Sequence, residues 1–256
     1  MSLIEEVEAP RAVLRYPDAK VFEGFVSTLS EVMDEALFVI TSDGVKVRGM
    51  DPAKISYIEV FMPREAFLDY SVEEEPVEMG LNLDLLGEII VAKKGSPIEF
   101  RVVADKVLVS IETLSVKRYL LPNIEVAISV PEDVRLEHKA RALLISDAFR
   151  KAIADIESVS DIVEFRASEE QLVISSVGED KSRVSARFTR ETSALLSLEV
   201  EEESSARYDV SYVSRVAGMS RVADTVEIGF SSDKPLELKL KSPDGSLVRY
   251  LLAPTV

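Results

Sequence analysis

The chain has 256 residues, of which 46% are hydrophobic and 30% are charged, and its net charge is −16 at pH 7. This length allows one large domain or two average ones, and the acidic balance argues against a protein that grips nucleic acid by bulk attraction. The absence of cysteine excludes disulfide bonds, thiolate metal sites and thiol nucleophiles.

The chain shows no targeting or membrane signal. Its start, Met1-Ser-Leu-Ile, lacks the basic and apolar regions of a secretion signal, and no run of about 18 apolar residues predicts a membrane span. We therefore expect a cytoplasmic protein. Side-chain amides are scarce and charged residues are abundant, which is typical of proteins from thermophiles.

In chain order, the first half predicts strand, helix, several strands, a second helix and three strands. Helical spacing of apolar residues predicts the helices over Phe22–Asp34 and around Leu85–Ile90. Asp43-Gly44 predicts a tight turn between strands. Alternating residues predict the strands Leu37–Thr41, Val45–Gly49, Ile55–Phe61, Ile98–Val103, Val107–Glu112 and Lys117–Leu121.

The second half repeats the first at an offset of 127 residues. Phe22 corresponds to Phe149 and Asp34 corresponds to Asp161, so the same helical pattern recurs. Each half also closes with the sequence Arg-Tyr-Leu-Leu, beginning at Arg118 in the first half. This is a tandem duplication.

We therefore predict an α+β fold of two duplicated domains, each with two helices on one face of an antiparallel sheet. The predicted first domain covers residues 1–122 and the second covers residues 139–256. Residues 123–138 have no helical period and begin after Pro122, which predicts an extended connector between the domains.

Signals of catalysis or metal binding are weak. His138 is the only histidine and has no nucleophile or orienting acid near it in sequence, so we expect a solvated surface residue. Lys93-Lys94-Gly95 lacks the upstream glycine of a phosphate loop and predicts a helix C-terminus. The runs Glu73–Glu75 and Glu201–Glu203 predict solvated faces rather than metal sites. We predict no enzyme activity, no catalytic residue, no metal and no cofactor.

A family resemblance rests on two segments of the sequence, together with the duplication and the connector. Ser42-Asp-Gly-Val-Lys-Val-Arg-Gly-Met-Asp51 and the ending Tyr250-Leu-Leu-Ala-Pro254 resemble the proliferating cell nuclear antigen family of sliding clamps, in its short archaeal form. The resemblance implies the DNA clamp fold and a trimeric, pseudo-sixfold ring, with sheets outside and helices facing encircled double-stranded DNA. It implies a nucleoid-associated processivity factor without sequence specificity. Its implied partners are DNA polymerase, the clamp loader, a flap nuclease and DNA ligase, which bind through hydrophobic peptide motifs.

The resemblance also implies three sets of site residues. Basic residues on the polar helix faces would face DNA, although the first helix has no basic residue between Val21 and Met33. These residues are Lys20, Lys93, Lys94, Arg150, Lys151, Arg215 and Arg221. A partner pocket beneath the connector would use Met50, Lys54, Ile55, Tyr57, Ile128, Val130, Pro131, Pro235, Leu251, Leu252, Ala253 and Pro254. Of the adjacent Leu251 and Leu252, we expect one to face inward and one to line this pocket.

Subunits would join through unpaired edge strands, which are templates for another chain. The expected edges are residues 106–112 and 182–189, with interface residues Lys106, Val107, Val109, Ile111, Arg183, Val184 and Arg187. The sequence leaves open whether the ring contains one kind of chain or several.

Other functions remain open at this stage. The chain could be a specialised subunit of a heterotrimeric clamp, or a ring scaffold for repair or checkpoint signalling. A more remote alternative is an uncharacterised hydrolase on a duplicated α+β fold, which the lack of a convergent His, Asp and Ser set disfavours.

Overall fold

The computed structural model describes residues 9–91, 93–127, 130 and 134–255. The chain divides into two compact units. Unit 1 comprises Met1–Gly49, Glu59–Val130 and Asp244–Ser246; unit 2 comprises Met50–Ile58, Pro131–Pro243 and Leu247–Val256. By its contacts, the short segment Met50–Ile58 of the first half thus belongs to unit 2.

The first half follows the predicted order of elements. One strand precedes the first helix, five strands lead to the second helix and three strands follow it. The helices are α1 (Ala19–Ser30) and α2 (Leu83–Ile89). The strands are β1 (Ala12–Tyr16), β2 (Glu35–Thr41), β3 (Gly44–Met50), β4 (Ser56–Pro63), β5 (Asp69–Val72), β6 (Val77–Asn82), β7 (Ile98–Val102), β8 (Lys106–Glu112) and β9 (Val116–Pro122).

The second half has the same order. Its helices are α3 (Ser146–Glu157) and α4 (Val210–Ala217). Its strands are β10 (Ala140–Ile145), β11 (Ile162–Ser168), β12 (Gln171–Val177), β13 (Arg183–Thr189), β14 (Leu195–Val200), β15 (Ser204–Asp209), β16 (Thr225–Phe230), β17 (Leu236–Lys241) and β18 (Leu247–Leu252). Both ends of α1 are displaced by 127 residues from those of α3, and the same offset relates β2 to β11 and β3 to β12. The duplication and the α+β class are confirmed.

Each long helix buries one apolar stripe. In α1 the buried residues include Phe22, Phe25 and Leu29, spaced three to four positions apart as one helix face requires. Asp18 caps this helix, and its carboxylate accepts hydrogen bonds from the backbone of Lys20 and Val21. Burial of a side chain as large as phenylalanine stabilises the fold by roughly 1.5–3 kcal/mol, so these stripes fix the helices on the sheets.

The sheets are antiparallel. In unit 1 one sheet has the order β5-β1-β7-β8-β9, and β3, β2 and β6 lie side by side in another. In unit 2 the order β14-β10-β16-β17-β18 repeats that of the first sheet, and a four-stranded sheet has the order β13-β12-β11-β15.

The structure corrects one of the two predicted edge strands. β13 ends its sheet, as expected for residues 182–189. The expectation for residues 106–112 is wrong, because β8 lies between β7 and β9, and β9 ends the sheet. Val107, Val109 and Ile111 are fully buried, so they are core residues rather than interface residues.

The start of the connector is attached to β6. The side-chain oxygen of Asn123 accepts a hydrogen bond from Gly80 N at 2.8 Å, and Ile124 N donates to Gly80 O at 3.0 Å. A side chain at Gly80 would clash with the carbonyl of Ile124, so glycine allows this close approach. The described residues of 123–138 contain no helix or strand, as predicted.

Lys93-Lys94-Gly95 does not end a helix directly. Helix α2 ends at Ile89, and Gly95 lies in a later turn with a φ of +81°. Gly95 N donates to Asp18 Oδ2 at 2.9 Å, so this turn is bound to the cap of α1.

Candidate binding surfaces

The loop that follows β3 is organised by one buried carboxylate. Asp51 is only 4% exposed, and its Oδ1 accepts from Ile55 N at 2.9 Å, from Ser56 N at 2.5 Å and from Ser56 Oγ at 3.0 Å. Its Oδ2 accepts from Ala53 N at 3.1 Å. Lys54 takes a left-handed conformation with a φ of 58° to complete the loop. These bonds fix the position of Ile55, whose side chain is 40% exposed.

The C-terminal tail lies beside this loop. Ala253 N donates to Ile55 O at 3.0 Å, and Thr255 N donates to Arg207 O at 2.8 Å. Leu236 pairs with Leu252, which places Pro235 beside Ala253 just before the start of β17. We call the exposed and half-buried residues of this region the tail surface: Met50, Lys54, Ile55, Pro235, Ala253 and Pro254. It is apolar except for Lys54.

Other predicted pocket residues lie elsewhere. Tyr57 is 5% exposed and is a core residue. Leu251 and Leu252 are both buried, at 7% and 1% exposure, so the expectation that one lines an open pocket is wrong. Val130 is half-buried and belongs to unit 1, while Ile128 and Pro131 lie outside the described residues. The sequence analysis did not predict that Asp51 anchors this loop. The pattern that indicates this role is an acidic residue directly before a turn with several free backbone N–H groups.

His138 is buried, contrary to the expectation of a surface residue. It is 6% exposed, and its Nε2 lies 3.0 Å from Glu237 Oε2. The other oxygen of Glu237 accepts from Arg249 Nε at 2.6 Å, and Arg249 also donates to the carbonyl of Val134. The imidazole packs on β16, where a side chain at Gly229 would come within 2.6 Å of Cδ2 of His138.

The charge of Glu237 is stabilised by this cluster. Burial by itself disfavours the carboxylate, but hydrogen bonds from His138 and Arg249 and the charges of Lys239 and Arg249 outweigh it and lower the pKa of Glu237 to about 2. The cluster therefore holds residues 134–138 on unit 2 by charge-assisted hydrogen bonds.

Three of the cations on the four helices are paired with carboxylates. Together they contain four cations and six carboxylates. Lys20 pairs with Glu23 at 2.6 Å, and Arg150 and Lys151 both pair with Asp147, at 2.6 and 2.7 Å. Hydrogen bonds from Lys151 and Arg150 accordingly lower the pKa of Asp147.

The other residues predicted to face DNA do not form such ion pairs with helix carboxylates. The guanidinium of Arg215 stacks on the ring of Tyr212, 3.9 Å from its centroid. Lys93, Lys94 and Arg221 are exposed, and none of them forms an ion pair within the described part of the chain.

The two acidic runs make local contacts. Glu75 accepts a hydrogen bond from Ser42 N at 2.5 Å, and Glu201 pairs with Lys139 at 2.9 Å. Among the described residues no group of three or more His, Asp or Glu side chains could hold a metal ion. No described helix is long and apolar enough to cross a membrane.

Comparison with known proteins places these features in a family. Residues 13–106 match the proliferating cell nuclear antigen N-terminal domain, and residues 132–255 match its C-terminal domain. The chain is similar to DNA polymerase sliding clamp 1 of Aeropyrum pernix, with 47% identity over 95% of this chain and 99% of the relative.

Solved structures agree. PCNA from Thermococcus kodakaraensis matches with a TM-score of 0.88 and 26% identity, over 95% of this chain and 100% of that one. A PCNA2–PCNA3 complex from Sulfolobus tokodaii matches with a TM-score of 0.88 and 26% identity, over 94% and 98%. The two units, their shared order of elements and these matches together show that the chain belongs to the proliferating cell nuclear antigen family of DNA polymerase sliding clamps.

Proposed function

We propose that this chain is one subunit of a trimeric ring that encircles double-stranded DNA and tethers DNA polymerase to it. The observation that carries this proposal is the pair of exposed edge strands, β9 in unit 1 and β13 in unit 2. An edge strand can pair with an edge of the next chain, and two such edges per chain allow head-to-tail closure into a ring. The role is one of binding and not of catalysis.

Encirclement resolves the difficulty of the net charge of −16. A closed ring stays on duplex DNA by topology, so it needs few phosphate contacts and can slide. Lys93, Lys94, Arg215 and Arg221 supply such contacts in this proposal, while the ion-paired Lys20, Arg150 and Lys151 contribute less. A ring that acts in this way would be found with the nucleoid.

The tail surface supports the proposed docking of partner peptides. Ile55 and Ala253 present apolar atoms on a backbone that Asp51 and the Ala253–Ile55 hydrogen bond hold in place. A preorganised apolar surface of this kind suits a short hydrophobic segment, because little order is lost on binding. DNA polymerase, the clamp loader, a flap nuclease and DNA ligase are the partners we propose for it.

The test is retention on DNA of different topology. The assembled clamp is loaded by the clamp loader and ATP onto a nicked circular plasmid, and bound clamp is separated by gel filtration. Cutting the plasmid once with a restriction enzyme should release the clamp, whereas mock digestion should not. Equal retention on circular and cut plasmid would rule out encirclement.

A further inference from the structure

One sheet face of unit 2 is basic, although the chain has a net charge of −16. The strands β13, β12, β11 and β15 lie side by side in that order, and helices α3 and α4 pack on one face of them. The opposite face carries four arginines, and we call it the arginine face: Arg166, Arg183, Arg187 and Arg207. It has two carboxylates, Glu164 and Asp209, and Asp209 accepts from Ser211 N at 2.9 Å to cap α4.

The strand register brings these arginines together. Val173 pairs with Arg187 on one side and with Arg166 on the other, so the three side chains lie in one row on the same face. Neighbouring strands lie about 4.8 Å apart, so the backbones of the two arginines are about 10 Å apart. Arg207 pairs with Glu164, which lies two residues from Arg166 on β11.

Two of the arginines share one carboxylate. Nη2 of Arg166 lies 3.0 Å from Oε2 of Glu164, and Nε of Arg207 lies 3.3 Å from Oε1. A guanidinium has five N–H donors, so this contact leaves most of them for another acceptor. The two side chains are 64% and 67% exposed, so a partner can reach them. Among the described residues Arg183 and Arg187 form no ion pair.

A cleft of about 310 Å³ opens beside Arg166. Ser168, Gln171 and Ser232 also line it, so it can offer hydroxyl and amide donors as well as a guanidinium. Among the described residues that line it, Glu203 is the one carboxylate, and it is exposed. The cleft can therefore accept an acidic side chain that a neighbouring molecule inserts.

The arginine face adjoins the tail surface. Ala253 N donates to Ile55 O at 3.0 Å, and two residues later Thr255 N donates to Arg207 O at 2.8 Å. The tail therefore runs along β15 from the tail surface to Arg207. A partner segment that follows the tail reaches the arginine face within a few residues.

The first copy of the fold holds an extended segment on the equivalent path. Ile124 N donates to Gly80 O as Thr255 N donates to Arg207 O, and Gly80 and Arg207 are related by the common offset of 127. The connector continues past Gly80, where an added Cβ would lie 3.2 Å from Cγ2 of Val126. An extended backbone can therefore lie on this part of the fold, and in the second copy it would meet arginine instead of glycine.

The chemistry of the arginine face favours carboxylates over nucleic acid. The aromatic side chains of its four strands, Phe165, Phe188 and Tyr208, are all buried, so the face offers no ring on which bases could stack. Guanidinium groups bind carboxylates through charge-assisted hydrogen bonds, as Arg166 and Arg207 already do with Glu164. The proposed DNA contacts involve the helices, which lie on the other side of this sheet.

We propose that the arginine face is a docking surface for an acidic, extended segment of a partner protein, joined in that partner to the hydrophobic segment held at the tail surface. This inference rests on the proposed docking of partner peptides and specifies a second element of the partner. Every second side chain of an extended segment faces the sheet, about 6.6 Å from the next. Asp or Glu at alternate positions would therefore meet Arg207 and the cleft beside Arg166.

The experiment compares three fluorescein-labelled peptides by anisotropy with the full chain. One is a hydrophobic polymerase peptide alone, the second carries a Glu-Ser-Glu-Ser-Glu-Ser extension and the third carries a Ser-Gly extension of equal length, with each extension made at either end. At about 0.05 M salt the acidic extension at one end should tighten binding about five- to tenfold over the neutral one, since several exposed ion pairs form. This gain should largely disappear at about 0.5 M salt.

Arg166→Gln/Arg207→Gln should remove the gain and leave the affinity of the hydrophobic peptide unchanged. The matched control Arg141→Gln/Lys241→Gln removes two exposed cations from the other sheet of unit 2 and should keep the gain. Circular dichroism melting shows whether each variant folds. If the double variant does not fold, Arg187→Gln, at an exposed and unpaired position, should lower the gain in its place.

Three results would overturn the inference. The acidic extension could bind no tighter than the neutral one at either end, or its gain could survive Arg166→Gln/Arg207→Gln in full. The third is a double variant that binds labelled oligothymidine more weakly than wild type does but keeps the acidic gain, because the face would then be a nucleic-acid site.

The peptides also separate this inference from the proposed function. Binding of the hydrophobic peptide without any acidic gain would support docking at the tail surface and overturn the role of the arginine face. Arginine-dependent binding of the extended peptide, with no binding of the hydrophobic peptide, would support the arginine face and overturn docking at the tail surface.

Discussion

Nε2 of His138 lies 3.0 Å from Oε2 of Glu237, with both side chains less than a tenth exposed. Glu237 is also bound by Arg249, which donates to the carbonyl of Val134. A strand of the sheet thus holds residues 134–138 through one shared carboxylate.

Glu237→Gln should destabilise unit 2 by about 3 kcal/mol, because it leaves Arg249 and His138 without their charged acceptor in a buried site. Urea denaturation monitored by circular dichroism measures this free energy of unfolding. Glu227→Gln is the control, since Glu227 pairs with Lys239 at 3.1 Å but is 41% exposed. It should lose less than about 1 kcal/mol, and equal losses for both variants would contradict a special role for the cluster.

Stability should also depend on pH through Glu237. Its pKa is lowered from 4.5 to about 2 in the folded protein, so the unfolded state binds a proton first as the pH falls. The stabilisation, about 3 kcal/mol, is present above pH ~4.5 and is lost as the pH falls towards ~2. The difference in unfolding free energy between wild type and Glu237→Gln should shrink over this range. A difference that is constant from pH 5 to pH 2.5 would contradict the assignment.

Asp51→Ala should weaken both partner binding and the fold. The change removes the acceptor of three backbone N–H groups and of one hydroxyl, and should cost about 1–3 kcal/mol. Because Ile55 loses its fixed position, affinity for a hydrophobic polymerase peptide should fall at least several-fold in calorimetric titration. Glu199→Ala, which removes an exposed carboxylate on β14 away from the tail surface, is the control and should leave the affinity unchanged. Unchanged affinity in Asp51→Ala would show that the tail surface is not the docking site.

Lys93→Ala/Lys94→Ala should reduce the salt dependence of the contact with duplex DNA. Each phosphate contact contributes about 0.9 to the slope of log affinity against log salt, so the slope should fall by up to roughly 2. Lys151→Ala should change it less, because Lys151 is paired with Asp147 at 2.7 Å. The slope is measured as the affinity of assembled clamp for short linear duplex DNA at several salt concentrations, because a closed plasmid would retain the ring whatever its phosphate contacts. A larger effect from Lys151 than from the other pair would reverse our assignment of the DNA-facing residues.

Periodicity predicted the elements well because each apolar stripe occurs twice. The helix that begins at Ala19 recurs at Ser146, so two independent stretches of sequence gave the same answer. The order of strands within a sheet was harder. The hairpin at Thr113 makes β8 and β9 neighbours, but only the pairing of β8 with β7 on its other side decides that β9 lies outside.

Burial of single polar residues could not be predicted from local sequence. His138 stands between Glu137 and Lys139, which suggests exposure, and its pocket is made by Gly229 and Glu237 from distant strands. Likewise Leu251 and Leu252 alternate across a strand, but both faces of that strand are covered, so both are buried.

The two copies of the fold share their backbone without sharing their charge. The caps of α2 and α4, Asn82 and Asp209, are equivalent positions and do the same work. On the solvent side, however, Glu88 of one copy corresponds to Arg215 of the other at the common offset of 127. Gene duplication therefore gave this protein two copies of one fold whose surface residues have since evolved separately. A contact established for one copy does not imply the equivalent contact in the other.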